Sequence, residues 1–259
     1  MYDLHAHILP ELDDGATAEA VTLEMAAVAA QSGTKVVVAT PHMKDVNEQS
    51  SVATAAALCL DMASKIEANG TELELVMGME NHVVPELPQM FRDGHALPIN
   101  GTEYALIEMP FFGHPNYLEE VLFEVQLLGI IPLLAHPERI EVIQQRPEIL
   151  SDFVEKGMLS QITAGSLLGY FGSQVKRFTE DLVRNELAHV IASDCHFPDG
   201  PRSPKLSVGY EAAAKLVGKD RASQMVNEVP RAIVEGRRFT VPEPGTVRPM
   251  GRRGWRRWF

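Results

Sequence analysis

The run Met1-Tyr-Asp-Leu-His-Ala-His-Ile-Leu-Pro10, followed by Glu11-Leu-Asp-Asp-Gly15, decides how the chain is read. Residues 2–6 read as a short strand, and period-two alternation then places Asp3, His5 and His7 on one face. The same pairing recurs along the chain: an apolar run ends, and an Asp, Glu or His follows. Asp14 lies in Asp-Asp-Gly, His42 in Thr-Pro-His, Glu80 in Gly-Met-Glu, and Glu108 in Ile-Glu-Met-Pro. His136 lies in Ala-His-Pro-Glu-Arg, and Asp194 and His196 in Ser-Asp-Cys-His. Imidazole and carboxylate together are ligands for Mn, Fe or Zn. A lone histidine at a strand end is more often a hydrogen-bonded structural group. An ordered series drawn from the whole chain points instead to a multi-metal hydrolase site.

Further strands are expected over 35–40, 74–78, 104–109, 131–135, 159–163 and 189–193. The Val36-Val-Val-Ala39 run suits a strand buried on both faces. Helices are expected over 17–32, about 49–69, 116–128, 147–156, 173–186 and 206–238. Thr17 and Gly33 are the expected N-cap and stop of the first. A Pro-rich connection runs from Pro85 to Pro98. Strand then helix, repeated seven times, implies an α/β fold with a parallel sheet. The candidate ligands follow strands from the first to the last. That favours a seven-stranded barrel, whose active site lies at the C-terminal strand ends, over an open sheet.

The 259 residues, 45% hydrophobic, suffice for one substantial core. Two cysteines, Cys59 and Cys195, make no disulfide framework and fit a reducing, cytoplasmic compartment. No basic-then-apolar leader opens the sequence, and no apolar run approaches membrane-spanning length. The net charge of -12 disfavours nonspecific nucleic-acid binding, which needs clustered Lys and Arg. Residues 251–259 differ in character: Gly-Arg-Arg-Gly-Trp-Arg-Arg-Trp-Phe carries four arginines and both tryptophans of the chain. Such a basic aromatic tail is either a solubilising extension or a contact for an anionic membrane surface or an acidic partner.

These motifs resemble the polymerase and histidinol phosphatase (PHP) superfamily. More narrowly, they resemble its manganese-dependent bacterial protein-tyrosine phosphatases of capsular and exopolysaccharide operons. The His5-Ala-His-Ile-Leu-Pro-Glu-Leu-Asp-Asp-Gly15 and Ala-His-Pro-Glu-Arg segments carry the narrower likeness. The resemblance implies a distorted (β/α)7 TIM-like barrel over residues 1–250, with 251–259 as an appended tail. It also implies three divalent ions, Mn2+ first, with Fe or Zn as alternatives. One ion would take His5, His7, Glu80 and Asp194; a second Glu80, Glu108 and His136; a third Asp14, His42 and His196. Adjacent cations lower the pKa of bound water, and Arg139 and Arg202 are the expected catalytic guanidiniums for phosphoryl oxygens. The implied substrate is a phosphotyrosine protein, a membrane-associated bacterial tyrosine kinase that controls capsule or exopolysaccharide synthesis. The implied location is the cytoplasm, peripherally at the inner face of the membrane. Rival readings are a small-molecule phosphomonoesterase of the histidinol-phosphatase type and a kinase-binding regulator with little activity.

Several residues carry plainer readings. Asp3 either orients a ligand imidazole or is a buried group satisfied by backbone. His82, His95, His114 and His189 match no motif and read as structural or exposed. Asp13 and Glu138 read as turn and helix-start residues, and Arg139 has surface partners available in Glu138 and Glu141. Six residues separate Cys195 from Arg202, where cysteine-dependent tyrosine phosphatases use five, so Cys195 is not expected to be a nucleophile. No Gly-x-Ser-x-Gly, Walker or dinucleotide-binding motif is present.

Overall fold

The computed structural model describes residues 1–250; the tail 251–259, with the membrane or partner contact expected of it, lies outside them. Eight strands are present: β1 (Tyr2–Ala6), β2 (Val36–Ala39), β3 (Glu74–Met77), β4 (Asn81–His82), β5 (Tyr104–Glu108), β6 (Ile131–Ala135), β7 (Leu159–Thr163) and β8 (Val190–Ala192). All pair in parallel, as β1-β2-β3 and as β4-β5-β6-β7-β8. The α/β reading holds. The expected third strand is β3, while β4, two residues long and not expected, follows Gly78-Met79-Glu80 and opens the second sheet. A Cβ at Gly78 would lie 2.8 Å from Val38 Cγ1, so only glycine lets the chain pass so close to β2 there.

The strands sort their side chains by parity. Leu4, Val36, Val38, Tyr104, Leu106, Leu133, Ala135, Leu159 and Val190 share one buried cluster, drawn from both sheets. Their neighbours Val37, Ala39, Ala105, Ile107, Leu134, Ile162 and Ile191 pack into the larger core with the helices. The first and last strands also meet. Ala6 bridges Cys195 in parallel, His7 N–H donates to Cys195 O at 2.9 Å, and Asp194 N–H donates to His5 O at 2.9 Å.

Helices fill the crossovers: α1 (Glu19–Gln31), α2 (Met43–Gln49), α3 (Val52–Ala68), α4 (Leu87–Asp93), α5 (Leu118–Leu127), α6 (Glu141–Gln145), α7 (Glu148–Glu155), α8 (Ala164–Leu168), α9 (Ser173–Arg184), α10 (Leu206–Val217), α11 (Lys219–Ser223) and α12 (Val229–Val234). Four expectations are corrected. The first helix starts after Ala18, not at Thr17, though it stops before Gly33 at φ +88° as expected. The second is α3, which starts at Val52 because Ser51 caps it by accepting from Thr54 N–H, and the unexpected α2 precedes it. The Pro85–Pro98 connection contains α4, entered with a proline in its first turn. The long C-terminal helix breaks at Gly218, φ +85°, and again through a π-helical turn at Gln224–Glu228. No helix among the described residues is long and apolar enough to cross a membrane.

Candidate metal centre

β1 carries an irregularity that aims the first two histidines. Three steps from Asp3 to Ala6 answer two from Val37 to Ala39 on β2, a bulge. An extra residue reverses the alternation beyond it. Asp3 is thereby separated from His5 and His7 and does not share their role. Its Oδ1 accepts from Ser193 N–H at 2.9 Å, the backbone-satisfied alternative. His5 Nδ1 instead meets Gln161 Oε1 at 2.9 Å, and His5 Nε2 lies 3.2 Å from His7 Nε2.

The remaining candidates arrive from the ends of the other strands. His42 follows β2, Glu80 precedes β4, Glu108 ends β5, His136 follows β6, and Asp194 and His196 follow β8. Asp14 is presented by the tight turn after β1. There Gly15 packs so closely that a Cβ would lie 2.0 Å from His7 O. His136 (φ +32°) and Asp194 (φ +52°) both occupy left-handed backbone, a strained state that clusters at functional sites.

All nine candidates come together. Glu80 is central: its carboxylate lies 3.2 Å from His5 Nε2, 3.4 Å from His7 Nε2, 2.9 Å from His42 Nδ1 and 3.0 Å from His136 Nε2. Glu108 Oε1 lies 3.6 Å from His136 Nε2. Asp14 Oδ1 lies 3.1 Å from His196 Nε2 and 3.4 Å from His42 Nε2. Asp194 Oδ1 lies 3.6 Å from His5 Nε2 and 3.7 Å from His7 Nε2. Three groups hold their ligand atoms within 4.8 Å of one another: His7, Asp14, His42 and His196; His5, His7 and Glu80; His42, Glu80 and Glu108. They overlap the three sets implied by the resemblance, but His7 and His42 are each shared between two groups.

The donor set fits divalent cations. Burial opposes a proton on His7, yet hydrogen bonds from its ring to Asp13 and Glu80 outweigh this and raise its pKa to about 9. Burial likewise opposes a proton on His42, and Asp14 and Glu80 raise it to about 11. Glu80 is held well below the usual carboxylate range: burial opposes its charge, and the surrounding imidazoles prevail. The cluster thus gathers positive charge, and a divalent ion serves that end by displacing protons from ligand nitrogens. His5 and His7 turn two basic ring nitrogens toward each other and toward one carboxylate, a geometry suited to a shared cation.

The two arginines behave differently from the surface reading. Arg139 Nη1 donates to Asp194 Oδ2 at 2.7 Å and makes no pair with Glu138 or Glu141 among the described residues. Arg202 Nη2 donates to Asp194 Oδ1 at 2.8 Å. Two residues read as bland are not. Asp13 Oδ2 accepts from His7 Nδ1 at 2.7 Å and from His42 N–H at 3.2 Å. Glu138 is fully buried, and its Oε1 accepts from Thr163 N–H at 2.9 Å and Ser166 Oγ at 2.6 Å. His189 is structural: its Nδ1 accepts from Ser160 N–H at 3.0 Å. His95 and His114 pair with Asn47 and Glu119 at the surface. Cys195 is fully buried, and burial followed by the nearby Asp3 charge drives its thiol pKa far up, the reverse of what a nucleophile needs.

A cleft of about 450 Å³ adjoins the cluster. His42 and Glu108 form its inner edge, and Val83, Met109, Pro110 and Phe111 give it apolar walls.

Known proteins resemble this chain over most of its length. Residues 1–235 match the family model described as capsular polysaccharide synthesis, CpsB/CapC. The chain is 41% identical over 199 residues to the tyrosine-protein phosphatase YwqE of Bacillus subtilis (strain 168), covering 76% of this chain and 77% of that one. It is 24% identical over 239 residues to the tyrosine-protein phosphatase CpsB of Streptococcus pneumoniae, covering 90% and 98%. A crystal structure from work on these two, described as unique metal-dependent tyrosine phosphatases, superposes with a TM-score of 0.88 at 33% identity, covering 96% of this chain and all of that one. A dihydropyrimidinase from Brevibacillus agri NCHU1002 shares the fold alone, at 11% identity and a TM-score of 0.56, over 96% of this chain and 72% of that one. The chain belongs to the CpsB/CapC family of capsular polysaccharide synthesis.

Proposed function

We propose that this chain is a metal-dependent tyrosine-protein phosphatase, with phosphotyrosine proteins as its substrates. The observation that carries the reading is the convergence of five imidazoles and four carboxylates from the ends of six strands. Within it, His5, His7, Asp14, His42, Glu80, Glu108, His136, Asp194 and His196 hold three divalent ions, Mn2+ by preference. When bound, such ions supply Lewis-acid charge and bring the pKa of water toward neutrality.

The protein's own groups do the rest. Arg139 and Arg202 each spend part of their five N–H donors on Asp194, leaving others for phosphoryl oxygens. Asp194, held far below the usual carboxylate range against burial by His5 and then Arg202, keeps both guanidiniums over the cluster. The cleft beside His42 and Glu108 receives the tyrosyl ring against Val83, Met109, Pro110 and Phe111. A phenol leaves with a pKa near ~10, so it needs less protonation than an alkoxide would.

The larger frame follows the same reading. Residues 1–250 are one phosphatase domain built on a distorted seven-stranded barrel. The β1–β8 backbone contacts and the core shared by both sheets support this. Residues 251–259 are a tail that meets a membrane-associated tyrosine kinase or the membrane beside it, on the cytoplasmic side.

The test is hydrolysis of a phosphotyrosine peptide and of histidinol phosphate, before and after chelation. Chelator should abolish phosphotyrosine hydrolysis and Mn2+ should restore it, while Cys195→Ser, if folded, retains most activity. Preference for histidinol phosphate would replace the protein substrate with a small molecule. Loss of activity in Cys195→Ser with its metals still bound would overturn the metal-dependent chemistry.

A further inference from the structure

Arg139 lies between two aromatic rings. Its guanidinium carbon is 4.9 Å from the centroid of Phe111 and 4.4 Å from that of Phe171. Phe111 is in turn nearly parallel to His136, at 9° and 5.3 Å between centroids. These four neighbours come from three connections: the one after β5 gives Phe111, the one after β6 gives His136 and Arg139, and the one between α8 and α9 gives Phe171.

The seat of Phe171 is built. A Cβ at Gly165 would come within 3.3 Å of its Cε2, so the ring rests against backbone that lacks a side chain. The connections are also tied to one another, because Glu141 N–H donates to Phe111 O at 3.0 Å. A ring face attracts a cation, and a planar guanidinium fits flat between two rings. The salt bridge to Asp194 fixes one edge of the fork, and the rings fix its plane. A side chain so held loses little further freedom when it grips a ligand.

We propose that Phe171 is a positioning residue for phosphoryl transfer. With Phe111 it fixes the plane of Arg139, so that the guanidinium meets the phosphoryl oxygens already oriented. This rests on the reading of Arg139 as a phosphoryl-oxygen ligand. Phe171 is the better probe of the two, since Phe111 also stacks on a candidate metal ligand.

The experiment is a double-mutant cycle on the metal-loaded full chain with an aryl phosphate as substrate. Phe171→Leu, which keeps an apolar side chain but removes the ring, should lower kcat roughly tenfold with metal content unchanged. Phe171→Tyr should restore most of the loss. In an Arg139→Ala background, Phe171→Leu should change almost nothing, because its effect passes through the arginine. An equal loss in both backgrounds, or a Tyr variant as impaired as Leu, overturns the proposal. A second readout does not depend on turnover. The Arg139 Nε–H proton should resonate upfield in the wild-type protein, from the flanking ring currents, and move part of the way toward its ordinary position in Phe171→Leu, where Phe111 alone remains. An ordinary position in the wild type would show that the stack does not form. A wild-type protein that shows the upfield proton but hydrolyses no aryl phosphate would overturn the phosphatase reading and leave the stack standing.

Discussion

Asp13 and Gln161 each hold the outer nitrogen of a site histidine, and so fix which ring nitrogen faces inward. Asp13 takes Nδ1 of His7 and Gln161 takes Nδ1 of His5. Partners of this kind fix tautomer and ring angle, and their loss weakens metal binding by roughly 10- to 100-fold. Asp13→Ala should therefore retain the fold yet require about that much more Mn2+ for half-maximal activity; a metal titration followed by hydrolysis measures it. An unchanged requirement would make Asp13 a turn residue only. The sequence offered Asp13 and Asp14 as a doublet, and adjacent residues point apart, so one at most was legible as a ligand. Gln161 lay hidden mid-strand in Leu-Ser-Gln-Ile-Thr, where nothing separates a polar partner from a core polar residue. Glu138 lay hidden for a related reason: a helix-start acid normally faces water, and this one turns inward to Thr163 and Ser166.

At the scale of elements, the turn after β1 sets the position of Asp14, and Gly15 makes that turn possible. A methyl group at Gly15 would stand 2.0 Å from His7 O and 2.6 Å from His7 Cβ. Backbone cannot yield as a flexible side chain does, so overpacking of this kind destabilises by about 1–3 kcal/mol. Gly15→Ala should lose at least that in a denaturant titration and also lose metal, because Asp14 and His7 move together. Near-normal stability would mean that the turn relaxes freely.

The strands were legible because each is a short apolar run stopped by a polar residue. The bulge in β1 was not: it leaves the composition of Asp3–His7 unchanged and shows only in the pairing with β2. Helix α2 and the break at Gly218 were missed for other reasons. The Met43–Gln49 segment is mostly polar and gives no apolar stripe, whereas Gly218 was a visible signal, a glycine able to turn left-handed, inside an apolar pattern that ran on across it.

For the whole molecule, acid stability depends on a histidine far from the chemistry. His189 is buried, and burial, then the charge of Arg221, lowers its pKa to about 3. Folded, it stays neutral down to that pH. Unfolded, it takes up a proton below about 6.5. Its neutral burial is therefore free of penalty above pH 6.5, and stability falls as pH drops from there toward 3. At pH 5.5 the loss from this residue is about 1.4 kcal/mol. His189→Asn, which can still accept from Ser160, should be less stable than wild type at pH 7.5 and should recover about that amount relative to it at pH 5.5. A constant difference in ΔG of unfolding between the two pH values would count against the mechanism.

The meeting of β1 with the segment after β8 also fixes an order of events in the cell. Asp194, His196 and the Cys195 carbonyl that pairs with His7 leave the ribosome nearly 190 residues after His5 and His7. At 5–20 residues per second the first histidines wait about 10–40 s for their partners. No nascent fragment that stops short of His196 carries the full ligand set. The complete centre therefore forms only once the segment after β8 has emerged, although the His5, His7 and Glu80 group is already present when Glu80 has.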